Sequence, residues 1–126
     1  MLEHIKRIFN KITSILTQLD DYGKLTTIAE TYTPLTPLEF FNVDSEYDTG
    51  QNTEICINLV ADQPTEITLS QRTPDGLGIY SFVYTTAAWE VFSRVYALTG
   101  QKYGVWIQNR GENQTYLRFY VTVRRA

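Results

Sequence analysis

The sequence predicts a mainly β fold, an antiparallel β-sandwich of jelly-roll type with about seven strands, preceded by one N-terminal α-helix. Three observations carry this. Apolar residues recur at alternating steps of three and four only in the opening stretch, at Leu2, Ile5, Phe9, Ile12, Leu16 and Leu19. From Leu38 onward, short runs rich in β-branched and aromatic residues are broken at intervals of about ten by turn-forming residues. Aromatics make up 13% of the 126 residues, nine of them Tyr, while Met occurs only at position 1; that balance suits strands and surfaces that recognise something.

The six apolar residues of the opening stretch fill the a and d positions of a heptad, and Ile8 and Ile15 add a flanking position. The apolar face is therefore broader than a two-stranded seam requires, which favours three or more helices or docking on a sheet. Glu3 suits the positive end of the helix dipole, and Gly23 stands where a left-handed stop is expected. A helix from Leu2 to Leu19 spans about 27 Å at about 1.5 Å per residue, marginal alone in water. Something must cover its apolar face, so Leu2, Ile5, Ile8, Phe9, Ile12, Ile15, Leu16 and Leu19 form the expected oligomerisation or docking seam.

Residues 24–37 carry four Thr between Lys24 and Thr33, then Pro34 and Pro37, and read as an extended arm. Leu25, Ile28, Tyr32 and Leu35 supply enough apolar anchors for that arm to be docked rather than free. The sandwich is expected over 38–126, after a helix at 1–23 and the arm at 24–37. Its strands are expected near 38–43, 53–61, 65–72, 77–86, 89–98, 102–109 and 115–124. Pro74-Asp75-Gly76 reads as a type I turn followed by a left-handed glycine. Alternation assigns Leu117, Phe119, Val121 and Val123, with Tyr103, Val105 and Ile107, to the core, leaving Trp106 and Gln108 outward. The strands near 79–84 and 91–98 are apolar on both faces and call for a second cover.

Several function classes lack material. The formal charge of −3 and the missing aromatic–arginine modules argue against nucleic acid. Acidic residues dominate between Lys24 and Arg72 and basic ones after it, which reads as neighbouring strands or touching subunits with solvated charges. No stretch is apolar enough to span a membrane, and Lys6, Arg7, Asn10 and Lys11 interrupt any secretory signal, so synthesis in a cytoplasm is expected. Cys56, alone in a strand-like run, reads as a buried, inert thiol. The one histidine, His4, lies in the helix, leaving nothing for a Ser-His-Asp or Cys-His arrangement or a histidine metal site; no enzyme and no cofactor is expected. Asp44, Glu46 and Asp48 place three carboxylates at alternate positions before Gly50, loosely as in an EF-hand loop. Thr49 stands where such a loop needs glycine and Ile55 where it needs the bidentate glutamate, so a solvated acidic turn is the preferred reading.

Tyr80, Tyr84, Trp89, Trp106, Tyr116 and Tyr120 are the candidate outward aromatics, with Gln108, Asn109 and Asn113 as nearby amides. Such rings stack on sugar rings, or else pack beneath the helix or between protomers. Asn113-Gln114-Thr115 matches a glycosylation sequon and reads as a turn. A heptad helix, a Thr/Pro-rich arm and one small sandwich together resemble the layout of small tailed-phage virion proteins of the head-decoration, head-fibre and fibre-tip type. That resemblance implies a non-enzymatic homo-oligomer, trimer favoured, mounted on a capsid or tail through its helix and arm and residing in the virion. The closing segments 100–109 and 116–123 are similar to those of jelly-roll carbohydrate-binding modules, which implies the alternative of a glycan- or receptor-binding module.

Overall fold

The computed structural model describes residues 2–21 and 25–125, and within the helix the side chains of residues 2–11. The helix α1 runs from Leu2 to Asp21. Its side chains at Leu2, Ile5 and Ile8 are solvent-exposed, at 66%, 44% and 48%. The side chains of the seam positions Ile12, Ile15, Leu16 and Leu19 lie outside what the structure describes, as does the expected stop at Gly23.

Among the described residues nine strands follow: β1 (Thr26–Thr31), β2 (Phe40–Phe41), β3 (Tyr47–Asp48), β4 (Glu54–Ala61), β5 (Thr65–Arg72), β6 (Ile79–Thr85), β7 (Phe92–Ala97), β8 (Lys102–Asn109) and β9 (Leu117–Arg124). They form two sheets, β1-β9-β4-β7 and β2-β8-β5-β6, with β3 also pairing β8. Every pairing is antiparallel. Helix plus antiparallel sandwich is the predicted fold class.

The arm is more than docked. Residues 26–31 are the edge strand β1, set against β9 with Thr26 opposite Val123 and Thr31 opposite Phe119, and with an irregularity between Thr27 and Ala29. The sandwich therefore begins ahead of residue 38. Threonine and isoleucine fit a pleated surface, so the Thr-rich composition that reads as a connector also serves an edge. Beyond β1 the chain crosses to the other sheet, anchored by the buried Leu35. The Leu35 N–H donates to Gln114 Oε1 at 3.0 Å, and its carbonyl accepts from the Gln114 N–H and from Asn109 Nδ2, each at 3.0 Å.

The core is built from the inward positions of both sheets. Ile55, Ile57 and Leu59 of β4 and Phe119, Val121 and Val123 of β9 face Ile67 and Leu69 of β5 and Val105 and Ile107 of β8. At 25–30 cal/mol per Å² of apolar surface, each fully buried side chain of this set contributes about 1.5–3 kcal/mol before entropy costs. Phe41 closes one side with an edge-on contact to Phe119, ring centroids 5.9 Å apart.

One assignment needs correcting. Tyr80 and Tyr84 do not lie on the outer face: in the β5–β6 register they stand opposite Gln71 and Ile67, on the side turned to the core, where Tyr84 is half-buried and Tyr80, at the sheet edge, is still 41% exposed. Tyr84 packs at 5.3 Å against Phe92, and Phe82 at 4.8 Å against Tyr96. Because β6 and β7 are the edge strands of their sheets, these rings close the sandwich where no further strand does. Arg94 also lies on this inner face, its guanidinium 5.0 Å from both the Tyr84 and Phe92 ring centroids, its alkyl stem beside the core and its charge at the rim. The outer positions Ile79, Val83 and Val95 remain more than half exposed, so the second cover that the two-faced pattern of these strands calls for does not come from the described residues.

Candidate recognition site

On β9, alternation turns Arg118 and Tyr120 away from the core, and Tyr116 precedes them on the same side. Tyr116 is fixed from below by Asp62, at the end of β4. The Asp62 carboxylate accepts the Thr115 N–H at 3.0 Å, the Thr115 hydroxyl at 2.7 Å and the Tyr116 N–H at 3.2 Å. Desolvation pushes the Asp62 carboxyl up, but the Thr115 hydroxyl and the two backbone donors outweigh it and hold the group below the usual carboxylate range.

A second ring comes from the connection between β6 and β7. Trp89 has φ of 63°, a left-handed conformation that a bulky side chain adopts only where its surroundings impose it. Its N–H donates to the Ala61 carbonyl at 2.7 Å, tying the connection to the end of β4. Glu90 braces the loop from within, accepting the Ala87 N–H at 3.1 Å and the Tyr84 hydroxyl at 2.8 Å. Those two donors hold the Glu90 carboxyl below its ordinary range, and the same bond raises Tyr84. The outcome is an indole 58% exposed, 5.2 Å from the Tyr116 ring.

Arg118 and Tyr32 extend the array across the sheet. The Arg118 guanidinium lies over the Tyr116 ring at 4.6 Å and over the Tyr32 ring at 5.0 Å, with one N–H given to the Leu117 carbonyl at 2.8 Å. Tyr32, just past β1 and half exposed, bonds Glu30 through its hydroxyl, which raises its pKa. Tyr120 stands one row along, its hydroxyl 2.8 Å from Thr27 Oγ1. Three segments distant in sequence thus meet in one row, Trp89–Tyr116–Arg118–Tyr32. Of these, Trp89 and Tyr116 are sequence candidates, as is Tyr120 one row along. Arg118 and Tyr32 were not, because only the β1–β9 pairing brings them together.

Trp106 lies on the opposite sheet, outward as predicted, in a cleft of about 230 Å³ lined also by Ser70, Arg72, Ile79, Asp44 and Glu46. Glu46 pairs with Arg72, which holds its carboxyl down through the hydrogen bond between them, and Asp48 lies 3.9 Å from Lys102. Of the three acids proposed from sequence as weak metal candidates, Glu46 and Asp48 therefore serve separate basic partners while Asp44 lines the cleft, and no group of three His, Cys, Asp or Glu able to hold a metal occurs among the described residues. Cys56 is half-buried on the outer face of β4 rather than in the core. Asn113 and Thr115 are exposed in the turn before β9, as the sequon's turn reading requires.

No family model matches the chain, and no curated protein matches it. Among solved structures it is similar to PirA, at 11% identity and TM-score 0.37, over 82% of this chain and 94% of that one. It is similar to BiXyn10A CBM1 in apo form, at 9% identity and TM-score 0.38, over 85% of this chain and 100% of that one. A third likeness is to a carbohydrate-binding module of the Cellvibrio mixtus lichenase 5A in complex with cellotriose, at 5% identity and TM-score 0.38, over 85% and 93%. At these scores the likenesses carry no argument about what this chain binds.

Proposed function

We propose that the chain is a non-catalytic recognition module that binds a glycan on the row Trp89–Tyr116–Arg118–Tyr32. The observation that carries the reading is Trp89: a left-handed backbone spends stability to hold an indole in water beside a second ring. Aromatic faces of this kind match the C–H faces of pyranose rings, and the tyrosine hydroxyls and guanidinium at the rim match sugar hydroxyls. The Trp106 cleft is the weaker candidate, because its Glu46–Arg72 pair must be broken or displaced before those groups serve a ligand. A glycan array followed by calorimetry on Trp89→Ala and Trp106→Ala tests this. Binding lost in the first variant and kept in the second supports the row; silence across the array removes the reading.

A second reading is favoured by the exposed Leu2, Ile5 and Ile8 on α1: association of copies of this chain through the helix, trimers above all. Attachment to a phage particle assembled in a host cytoplasm is the setting that the layout of helix, arm and sandwich suggests for it. Light scattering of the wild type against Ile5→Asp plus Ile8→Asp decides, and an identical mass for both counts against association.

A further inference from the structure

We infer that the glycan taken by this row is carboxylated, with Arg118 as the group that receives the carboxylate. The inference rests on the proposed glycan reading and names the ligand class of the same site. A guanidinium has five N–H donors in a fixed fork, and Arg118 gives one of them to the Leu117 carbonyl. It makes no ion pair among the described residues, unlike Arg72 and Arg124, which pair with Glu46 and Glu54 on the same sandwich. Two acids beside the row are already engaged: Glu30 by the Tyr32 hydroxyl, and Asp62 by Thr115 and the Tyr116 N–H. The Tyr116 and Tyr32 rings hold the guanidinium in place by cation–π contact, so little side-chain entropy remains to be lost when a planar anion docks on the fork. Trp89, on the other side of the Tyr116 ring at 5.2 Å from it, is placed to stack on a sugar residue of the same oligosaccharide.

A neutral glycan uses the rings but leaves the fork with water, whereas a uronate or sialate places two oxygens where a bidentate pair forms. The test is calorimetry with two matched pairs: trigalacturonate against its methyl ester, and sialyllactose against lactose. The acidic member of at least one pair is expected to bind about tenfold more tightly than its neutral partner, with the gap narrowing at high salt. Arg118→Gln is expected to erase the gap, Arg118→Lys to keep a fraction of it, and Trp89→Ala to weaken both members of the pair alike. Melting curves on the same variants verify that each is folded. Equal affinity for acidic and neutral partners, or a gap that survives Arg118→Gln, overturns the inference and leaves glycan binding standing. Absence of binding to either member removes both.

Discussion

Replacing Asp62 by Ala removes the acceptor that fixes the segment leading into β9. Three donors lose their partner: the Thr115 N–H, the Thr115 hydroxyl and the Tyr116 N–H. Thr115 is exposed and Tyr116 half-buried, so water recovers part of each bond, and a net value of about 0.5–1 kcal/mol per donor is appropriate. The sum is about 2 kcal/mol, or a fall in Tm of about 8 °C for a domain of this size. Asp62→Asn keeps one carbonyl oxygen and is expected to lose about half as much. Urea unfolding followed by tryptophan fluorescence measures the stability, and glycan calorimetry on the same samples measures how far the freed Tyr116 ring has drifted from Trp89. The Ala variant is expected to lose both stability and affinity. An unchanged unfolding midpoint refutes the clamp, and a destabilised protein that binds as tightly as the wild type refutes the role assigned to Tyr116.

Three other outcomes follow from the same geometry. Buried Gln71 accepts the Thr99 and Gly100 N–H groups at 3.0 and 3.1 Å and donates to the Ala97 carbonyl, so Gln71→Leu is expected to cost about 2–3 kcal/mol and to accelerate amide exchange at Thr99 and Gly100. A Cβ on Gly100 would stand 2.1 Å from the Arg72 carbonyl oxygen, so Gly100→Ala is expected to shift the backbone and cost about 2 kcal/mol or more by chemical denaturation. Asp62, Asp75, Glu46 and Glu90 all have carboxyls held below their ordinary values, so each contributes stability that is present above the unfolded pKa and is lost as pH falls through the folded one; the urea midpoint is expected to be flat from neutral pH down to about pH 5 and to drop below about pH 4.

The strands that carry the core were legible because their alternation is clean. The runs Glu54–Ala61, Thr65–Arg72 and Lys102–Asn109 match the sequence expectation to within a residue, and Gly76, at φ of 77° with its N–H on the Thr73 carbonyl, is the left-handed residue that Pro74-Asp75-Gly76 calls for. Residues 26–31 were read as connector because Thr and Pro density signals extended chain without saying whether a partner strand lies alongside. Tyr80 and Tyr84 were misassigned because β6 carries apolar side chains on both faces, and a period of two cannot choose between them; the β5–β6 register does. The recognition row was half legible. Trp89, Tyr116 and Tyr120 are aromatic residues in a sequence, but Ala87-Ala88-Trp89-Glu90 contains no turn residue to announce a left-handed indole, and Arg118 meets Tyr32 only through a pairing between segments 86 positions apart.

The chain has two tryptophans, and the fold sets them apart, Trp89 beside Tyr116 in the proposed glycan row and Trp106 on β8 in the cleft. Single-tryptophan proteins, Trp106→Phe and Trp89→Phe, titrated with an oligosaccharide that the wild type binds, therefore report separately on each. The account predicts a saturable change in emission from the protein that retains Trp89 and none from the one that retains Trp106. A response confined to Trp106 contradicts it.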